Sequence, residues 1–422
     1  MNKLINFSFF FIGLNSCFFI FREVFFPLKI VYTACLFFLA IRILFIPWNK
    51  SFYSKNILLG KFAIYFISLV VSISYSASFF FNNLSTSYSI LFLACIFLFK
   101  TNNNEFKYFF YGYKISLIIN FIYAGFELLF LLSYNISITS ILIGLLGFHD
   151  RQDVSIYGRI AGLMWDPYLL GIFCATGFFL FKSNALRLYI LVLLYYSGSR
   201  SGQIGLLAGL VYYYSINFKY KSKLVKSSCI VIGVFLIASQ FIDFKRGFGG
   251  TSKDGDRRLE YVTYIPQIWD TDETFINTII GGAPMYSGGR FWYSNLNSAT
   301  NRTIKRDDWI IESDWSGILL GRGIIGFLYY LLIYIMIIAN QKDRNIKAIC
   351  LCIFFAGIGY NYDLAIFINF ILYFASSYYL NTGDSPTICN ISSVKNKLAR
   401  PDPVLSTYYH LRTSKSNLIS ND

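Results

Sequence analysis

Two carboxylates, Glu312 and Asp314, stand immediately before a long apolar run that begins near Gly317. If that run crosses a bilayer, both acids lie within about one helical turn of the membrane surface. A carboxylate at this depth can be the general base for a hydroxyl nucleophile, or it can pair with an arginine such as Arg306 or Arg322. We predict that Asp314, or Glu312, is a catalytic residue.

Arginines also occur in polar segments beside apolar runs, where a guanidinium offers a planar fork of donors to phosphate or carboxylate oxygens. The candidates for substrate binding are Arg151, Arg159, Arg200, Arg290 and Arg306. Arg200 stands in Ser197-Gly-Ser-Arg-Ser-Gly202, whose small residues let backbone approach a ligand, and an arginine at membrane depth is costly unless it faces a cavity or a partner. Headgroup contacts, snorkelling and ion pairs with neighbouring acids are the structural alternatives.

Other polar groups complete the candidate set. Trp309 follows Arg306 closely and is interpreted either as a stacking surface for a sugar ring or as a headgroup anchor. Glu127 stands inside an apolar run and is a functional candidate for that reason. The pairs Asp254/Asp256 and Asp270/Asp272 are interpreted as loop acids, the eight cysteines lack zinc-ligand spacing, and only two histidines occur. We therefore predict no metal and no cofactor.

The composition identifies the setting in which these residues act. Of 422 residues, 55% are hydrophobic and 14% are charged, and a mean hydropathy of +0.52 is too apolar for a soluble protein. The predicted fold is an all-α integral membrane bundle of about twelve helices, with the first span retained. The predicted spans lie near residues 5–21, 25–47, 57–80, 87–99, 113–133, 167–181, 186–199, 203–217, 225–242, 317–339, 347–360 and 364–380.

The formal charge of +15 follows this topology, because Lys and Arg cluster in alternate connections and in the C-terminal tail. That side is predicted to be cytoplasmic and to hold both termini, so the charge does not indicate a nucleic acid partner. The predicted parts are N-terminal helices 1–133, a first periplasmic loop 134–166, central helices 167–242, a large periplasmic loop 243–316 between helices nine and ten, C-terminal helices 317–380 and a cytoplasmic tail 381–422.

Several motifs between about 150 and 330 resemble the O-antigen polymerase and ligase superfamily of polytopic glycosyltransferases. Arg159-Ile-Ala-Gly162, followed by Asp166-Pro-Tyr-Leu-Leu-Gly171, is similar to the family's Arg-x-x-Gly element. Ser197–Gly202 is similar to its membrane-embedded Ser-Arg-Gly motif, and Glu312–Asp314 leading to Gly323-Ile-Ile-Gly326 is similar to the junction after its catalytic loop.

Two details of the resemblance favour a polymerase over a ligase. Some polymerases carry an arginine, ten residues and a glycine in each of two outward loops, and this chain has the spacing at Arg151 to Gly162 and at Arg306 to Gly317. Ligases resemble one another in a histidine at the late-loop junction, where this chain has none. A ligase, and a transporter or flippase of lipid-linked glycans, remain the alternatives.

The resemblance implies a metal-independent glycosyltransferase of the bacterial inner membrane. Its substrate would be a polyprenyl-pyrophosphate-linked oligosaccharide, with arginines neutralising the pyrophosphate and Asp314 or Glu312 serving the acceptor hydroxyl. The expected partners are membrane lipid and, in the same pathway, a chain-length regulator and a flippase. The expected product is O-antigen or a related surface polysaccharide.

Overall fold

A computed structural model describes residues 2–18, 25–42, 103–145, 159–215, 314–341 and 343–357, with short pieces or single positions between 59 and 71, at 279–280 and at 371. In these residues the secondary structure is helical and contains no β-strand, which confirms the all-α prediction for them. The helices are α1 (Asn2–Leu14), α2 (Phe26–Arg42), α3 (Asn103–Tyr134), α4 (Ile138–Leu145), α5 (Pro167–Leu180), α6 (Asn184–Ser197), α7 (Arg200–Ser215), α8 (Asp314–Asn340) and α9 (Arg344–Ala356).

Within the described residues, one helix is both long and apolar enough to cross a bilayer, Asn104–Tyr134. Shorter apolar helices occupy Phe26–Ile41, Pro167–Leu180, Asn184–Ser197 and Gly321–Met336. The number of twelve spans therefore stays a prediction. The predicted spans near 87–99 and 225–242, the tail 381–422 and nearly all of the loop 243–316 lie outside the described residues.

Helix α3 begins at Asn103, ten residues before the predicted start of its span at 113. The additional turns are amphipathic, because Phe106, Phe109 and Phe110 are buried while Lys107 is exposed. A hydropathy scan averages over both faces and misses such a stretch. The helix is thus longer than the apolar run that predicts it.

Helices α1 and α3 pack backbone against backbone through two glycines. A methyl group added to Gly13 would meet Phe109 O, and one added to Gly112 would meet Phe10 O. Further along both helices, the N–H that follows α1, at Cys17, donates to Ser116 Oγ at 3.0 Å. The glycines place residues 10–14 of α1 beside residues 109–113 of α3, and Cys17 lies beside Ser116 further along both. The two helices therefore run parallel, and small residues permit the close approach.

Helix α7 is the centre of a second packed group. It runs parallel to α5, because Gly202 contacts the Gly171 backbone and Gly209 contacts Phe179. It runs antiparallel to α9, because Gly205 meets Ala356 while Arg344, at the start of α9, lies 4.2 Å from the ring centroid of Tyr213. Small residues on α7 thus bring two other helices against it.

Helix α8 is interrupted where the sequence predicted a continuous span over 317–339. Gly323 has φ 67° and ψ −175°, a conformation that only glycine adopts readily. The break divides α8 into a segment that ends at Arg322 and a segment that runs on to Asn340. Arg322 is itself 2% exposed, so a buried guanidinium stands at the break.

Candidate functional site

The segment 159–166 leads into α5, and two polar side chains of α3 bind its main chain. Glu127 Oε2 accepts the N–H groups of Ala161 at 3.0 Å and Gly162 at 2.9 Å. Asn120 Oδ1 accepts the N–H of Leu163 at 2.8 Å. Because buried main-chain donors must be paired, these bonds allow an irregular segment to lie inside the helical bundle.

The same segment is fixed at its far end by Trp165 and Asp166. Trp165 has φ 51°, a left-handed conformation that a bulky residue adopts at a cost of about 1–3 kcal/mol. Its indole is 2% exposed and packs in a small cluster with Ile143 of α4. Asp166 then caps α5, because its Oδ1 accepts the N–H of Tyr168 at 2.8 Å.

Helix α4 is docked on this assembly. It lies in the described part of the apolar stretch 136–148. In the described part, Thr139 and Ile143 are fully buried, whereas Ile141 is 51% and Leu145 is 78% exposed. The Thr139 hydroxyl donates to Glu127 Oε1 at 2.5 Å, so one face of α4 joins the site and the other face is apolar and open.

Arg159, at the start of the segment, lies against the turn between α6 and α7. The N–H of Ile160 donates to Tyr196 O at 3.3 Å, which brings the segment to the end of α6. Gly198 has φ 60°, and a methyl group added there would lie 3.0 Å from Arg159 Nε. The guanidinium also reaches Tyr168, with Nη1 3.4 Å from the hydroxyl.

The turn beside Arg159 is lined with hydroxyls. Ser197, Ser199 and Ser201 are all buried, Ser199 Oγ lies 3.2 Å from Ser201 Oγ and accepts the N–H of Gly202 at 3.2 Å. Arg200 is the first residue of α7 and is exposed. Arg159 and Arg200 therefore flank one helix N-terminus, where positive potential and N–H donors favour an anion.

Asp314 begins α8 and lies at the same end of the bundle. Its N–H donates to Gly357 O at 2.8 Å, and Oδ2 lies 3.1 Å from a methyl group placed on Gly357. The residue before Gly357, Ala356, contacts Gly205, which is about 7.5 Å along α7 from Arg200. Asp314 is 1% exposed and is further anchored by Trp315 Nε1, which donates to Phe354 O at 3.0 Å.

Three predicted site residues, Arg159, Arg200 and Asp314, are thus brought to one end of the described bundle from segments far apart in sequence. The other predicted site residues, Arg151, Arg290, Arg306, Trp309 and Glu312, lie outside the described residues. Among the described residues, no group of three His, Cys, Asp or Glu side chains could hold a metal ion.

Two features of the site were not predicted. The sequence indicated Glu127 as an intramembrane acid but gave no sign of its partners, which are main-chain groups more than thirty residues away. Asn120 and Thr139 were not predicted at all, although a buried amide and hydroxyl near a buried acid are typical of a shared hydrogen-bond network.

This arrangement can bind an anion and act on a hydroxyl. Two guanidiniums and a helix N-terminus supply donors at one end of the bundle, and Asp314 supplies a carboxylate there. Comparison with known proteins adds no assignment, because no protein-family model and no curated protein matches the chain.

Proposed function

We propose that the protein is a polymerase of the bacterial inner membrane that joins polyprenyl-pyrophosphate-linked oligosaccharide repeat units. The observation that carries the proposal is the gathering of Arg159, the Ser197–Gly202 element and Asp314 at one end of the bundle. These are three of the segments that resemble the O-antigen polymerase and ligase superfamily. Their placement at one end of the bundle is compatible with one shared site for donor and acceptor.

In the proposed reaction the arginines act on the leaving group and the carboxylate acts on the acceptor hydroxyl. A hydroxyl oxygen of the incoming repeat unit attacks the anomeric carbon of the growing chain, and the bond from that carbon to the carrier pyrophosphate breaks. The leaving pyrophosphate takes the electron pair, and Arg159 and Arg200 stabilise its charge. Asp314 orients the acceptor hydroxyl and accepts its proton. The step needs no metal or cofactor.

The packing of the helices supports a membrane setting. Helix α3 exposes Ile122, Phe126 and Leu129 at 54–60% of their surface, and α8 exposes Leu328 and Ile335 at 57–60%. Lipid would cover apolar faces of this size. The predicted span directions agree with the helix packing. The first and fifth predicted spans, which contain α1 and α3, cross in the same direction, and these two helices pack parallel. The predicted spans that contain α7 and α9 cross in opposite directions, and these two helices pack antiparallel.

The twelve-span topology can be tested by labelling. Single cysteines at Ser155 and Ser252, in a cysteine-free background, are expected to react with an impermeant maleimide on intact spheroplasts, whereas a cysteine at Ser222 is not. Reaction at Ser222 with silence at Ser252 would invert the topology and remove the periplasmic site.

Deletion of the gene distinguishes the polymerase from the alternative functions. If the polymer is O-antigen, a cell without polymerase is expected to carry surface lipopolysaccharide with a single repeat. Loss of a ligase would instead leave long polymer on the lipid carrier, and loss of a flippase would trap single repeats on the cytoplasmic leaflet. Long carrier-linked chains in the deletion strain would contradict the proposal.

A further inference from the structure

Glu127 is the group that fixes the main chain beside Arg159. Its carboxylate is 1% exposed and is surrounded by three donors, the N–H groups of Ala161 and Gly162 on Oε2 and the Thr139 hydroxyl on Oε1. An ionised acceptor forms hydrogen bonds roughly twice as strong as a neutral one. The carboxylate is therefore suited to anchoring main chain that makes no helix of its own.

The anchored residues stand two and three positions after Arg159. A further main-chain bond at this end of the segment joins the Ile160 N–H to Tyr196 O, at 3.3 Å. Gly162 has φ 64° and, like Trp165, is in a left-handed conformation, so the path of the chain depends on its anchors. A shift at Ala161 or Gly162 would move Arg159 relative to Gly198.

We propose that Glu127 is a positioning residue, which holds segment 159–163 through its main-chain N–H groups and so places the Arg159 guanidinium beside Gly198 for the carrier pyrophosphate. The inference rests on the proposed transfer reaction. Glu127 touches no reacting atom in this role. Thr139 assists by holding Oε1, and α4 is thereby coupled to the site.

The variants that test the proposal separate charge from shape. Glu127→Gln keeps the size of the side chain, and its amide can still accept from the two N–H groups and donate to Thr139, but the charge is lost. Thr139→Val is the milder second variant, since it only replaces the hydroxyl by a methyl group. Glu105→Gln is the matched control, because Glu105 is also buried on α3, about 33 Å along the helix from Glu127.

Hydrogen exchange tests the anchoring independently of any activity. In Glu127→Gln, amides in the peptide covering 159–166 are expected to exchange about tenfold faster because their acceptor is weaker. Thr139→Val is expected to show a smaller change in the same peptide, and Glu105→Gln none there. Unchanged exchange of 159–166 in Glu127→Gln would overturn the proposal.

A double-mutant cycle tests whether the anchoring acts through Arg159. Glu127→Gln is expected to lower the rate of transfer about tenfold in the wild-type background and less than about twofold in an Arg159→Lys background, because contacts in one network are not additive. A merely structural role would lower the rate by the same factor in both backgrounds and would overturn the proposal. If the wild-type protein transfers no glycan, the proposed function fails, while the exchange measurement still decides the anchoring.

Discussion

The two ends of helix α5 each carry an arginine beside an aromatic ring, and the two arginines differ in what they bind. At the C-terminal end, Arg187 lies 5.2 Å from the ring centroid of Phe178, and its Nε donates to Phe178 O and Phe181 O at 3.1 and 2.8 Å. At the N-terminal end, Arg159 lies 5.6 Å from the ring centroid of Tyr168 and reaches a glycine turn from another segment.

The difference separates a structural arginine from a candidate binding arginine. The last carbonyls of a helix need donors, and Arg187 donates to two carbonyls at the C-terminal end of α5. Arg159 lies instead against Gly198, in the turn after α6, while Asp166 caps α5 with its own side chain. Side-chain type alone does not distinguish these two arginines, whereas the identity of the groups they contact does.

The largest expected effect comes from substituting Arg159, with a substitution of Arg187 as the comparison. Arg159→Ala is expected to lower polymer formation by at least about 100-fold, as loss of a charge-stabilising donor does, and Arg159→Lys to restore little because an ammonium lacks the bidentate fork. Arg187→Lys is expected to stay within about twofold of wild type, because one ammonium can donate to both carbonyls. Chain-length analysis at equal protein level measures both; wild-type polymer with Arg159→Ala would make Arg159 a structural residue too.

Two aspartates at opposite ends of the bundle, Asp314 and Asp343, are expected to respond differently to the same substitution. Asp314→Asn keeps the shape of the side chain but removes the proposed base, so the cell is expected to show single repeats. Asp343 Oδ1 caps α9 by accepting the N–H groups of Asn345 and Ile346 at 2.8 and 3.3 Å, and Asn is an equally good cap. Asp343→Asn is therefore expected to make full-length polymer. Equal polymer from both variants would move the catalytic role from Asp314 to Glu312 or to another residue.

A smaller effect is expected from glycines at the two ends. Gly198→Ala puts alanine in a left-handed conformation, which costs about 1–2 kcal/mol. The added methyl group also lies against Arg159. We expect about a tenfold fall in the rate of transfer, because small displacements of a binding group are costly. In Gly177→Ala the methyl group would meet the Phe121 ring at 2.9 Å, so stability falls but the rate per folded protein does not. Equal rates per folded protein in the two variants would detach the turn from the site.

The smallest effect is expected from Ser199→Ala. This change removes the acceptor for the Gly202 N–H and is expected to lower the free energy of unfolding by about 1 kcal/mol. Transfer is expected to stay within about threefold of wild type, because the arginines carry the charge. Thermal unfolding in detergent and a rate measurement check the two parts; a loss of transfer larger than that in Arg159→Lys would make the hydroxyl a binding group.

The sequence predicted much of the local structure near the site. The spans near 167–181, 186–199 and 203–217 correspond to α5, α6 and α7, with each start and end displaced by three residues or fewer. Asp166-Pro167 is a typical helix start, and Gly198 is a typical helix end. These signals are local, so they can be read from neighbouring residues.

Other parts of the site could not be predicted because they depend on contacts between distant segments. Nothing near Glu127 in sequence indicates that its acceptors face Ala161 and Gly162. The break at Gly323 was missed for a related reason, since glycine within an apolar run is compatible with a straight helix, and only packing selects the break. The first ten residues of α3 were not predicted as part of the span, because a hydropathy average does not distinguish the buried face of a helix from its exposed face.

We propose that one end of this bundle transfers a glycan between two carrier lipids. The most direct test is to reconstitute the purified protein in liposomes with a synthetic polyprenyl-pyrophosphate repeat unit, in EDTA, and to separate the products by size. We expect carriers bearing two, three and more repeats together with released polyprenyl pyrophosphate, and neither product with Arg159→Ala. Repeat units that stay single while the folded wild-type protein moves them across the bilayer would contradict the proposed transfer reaction and identify a transporter.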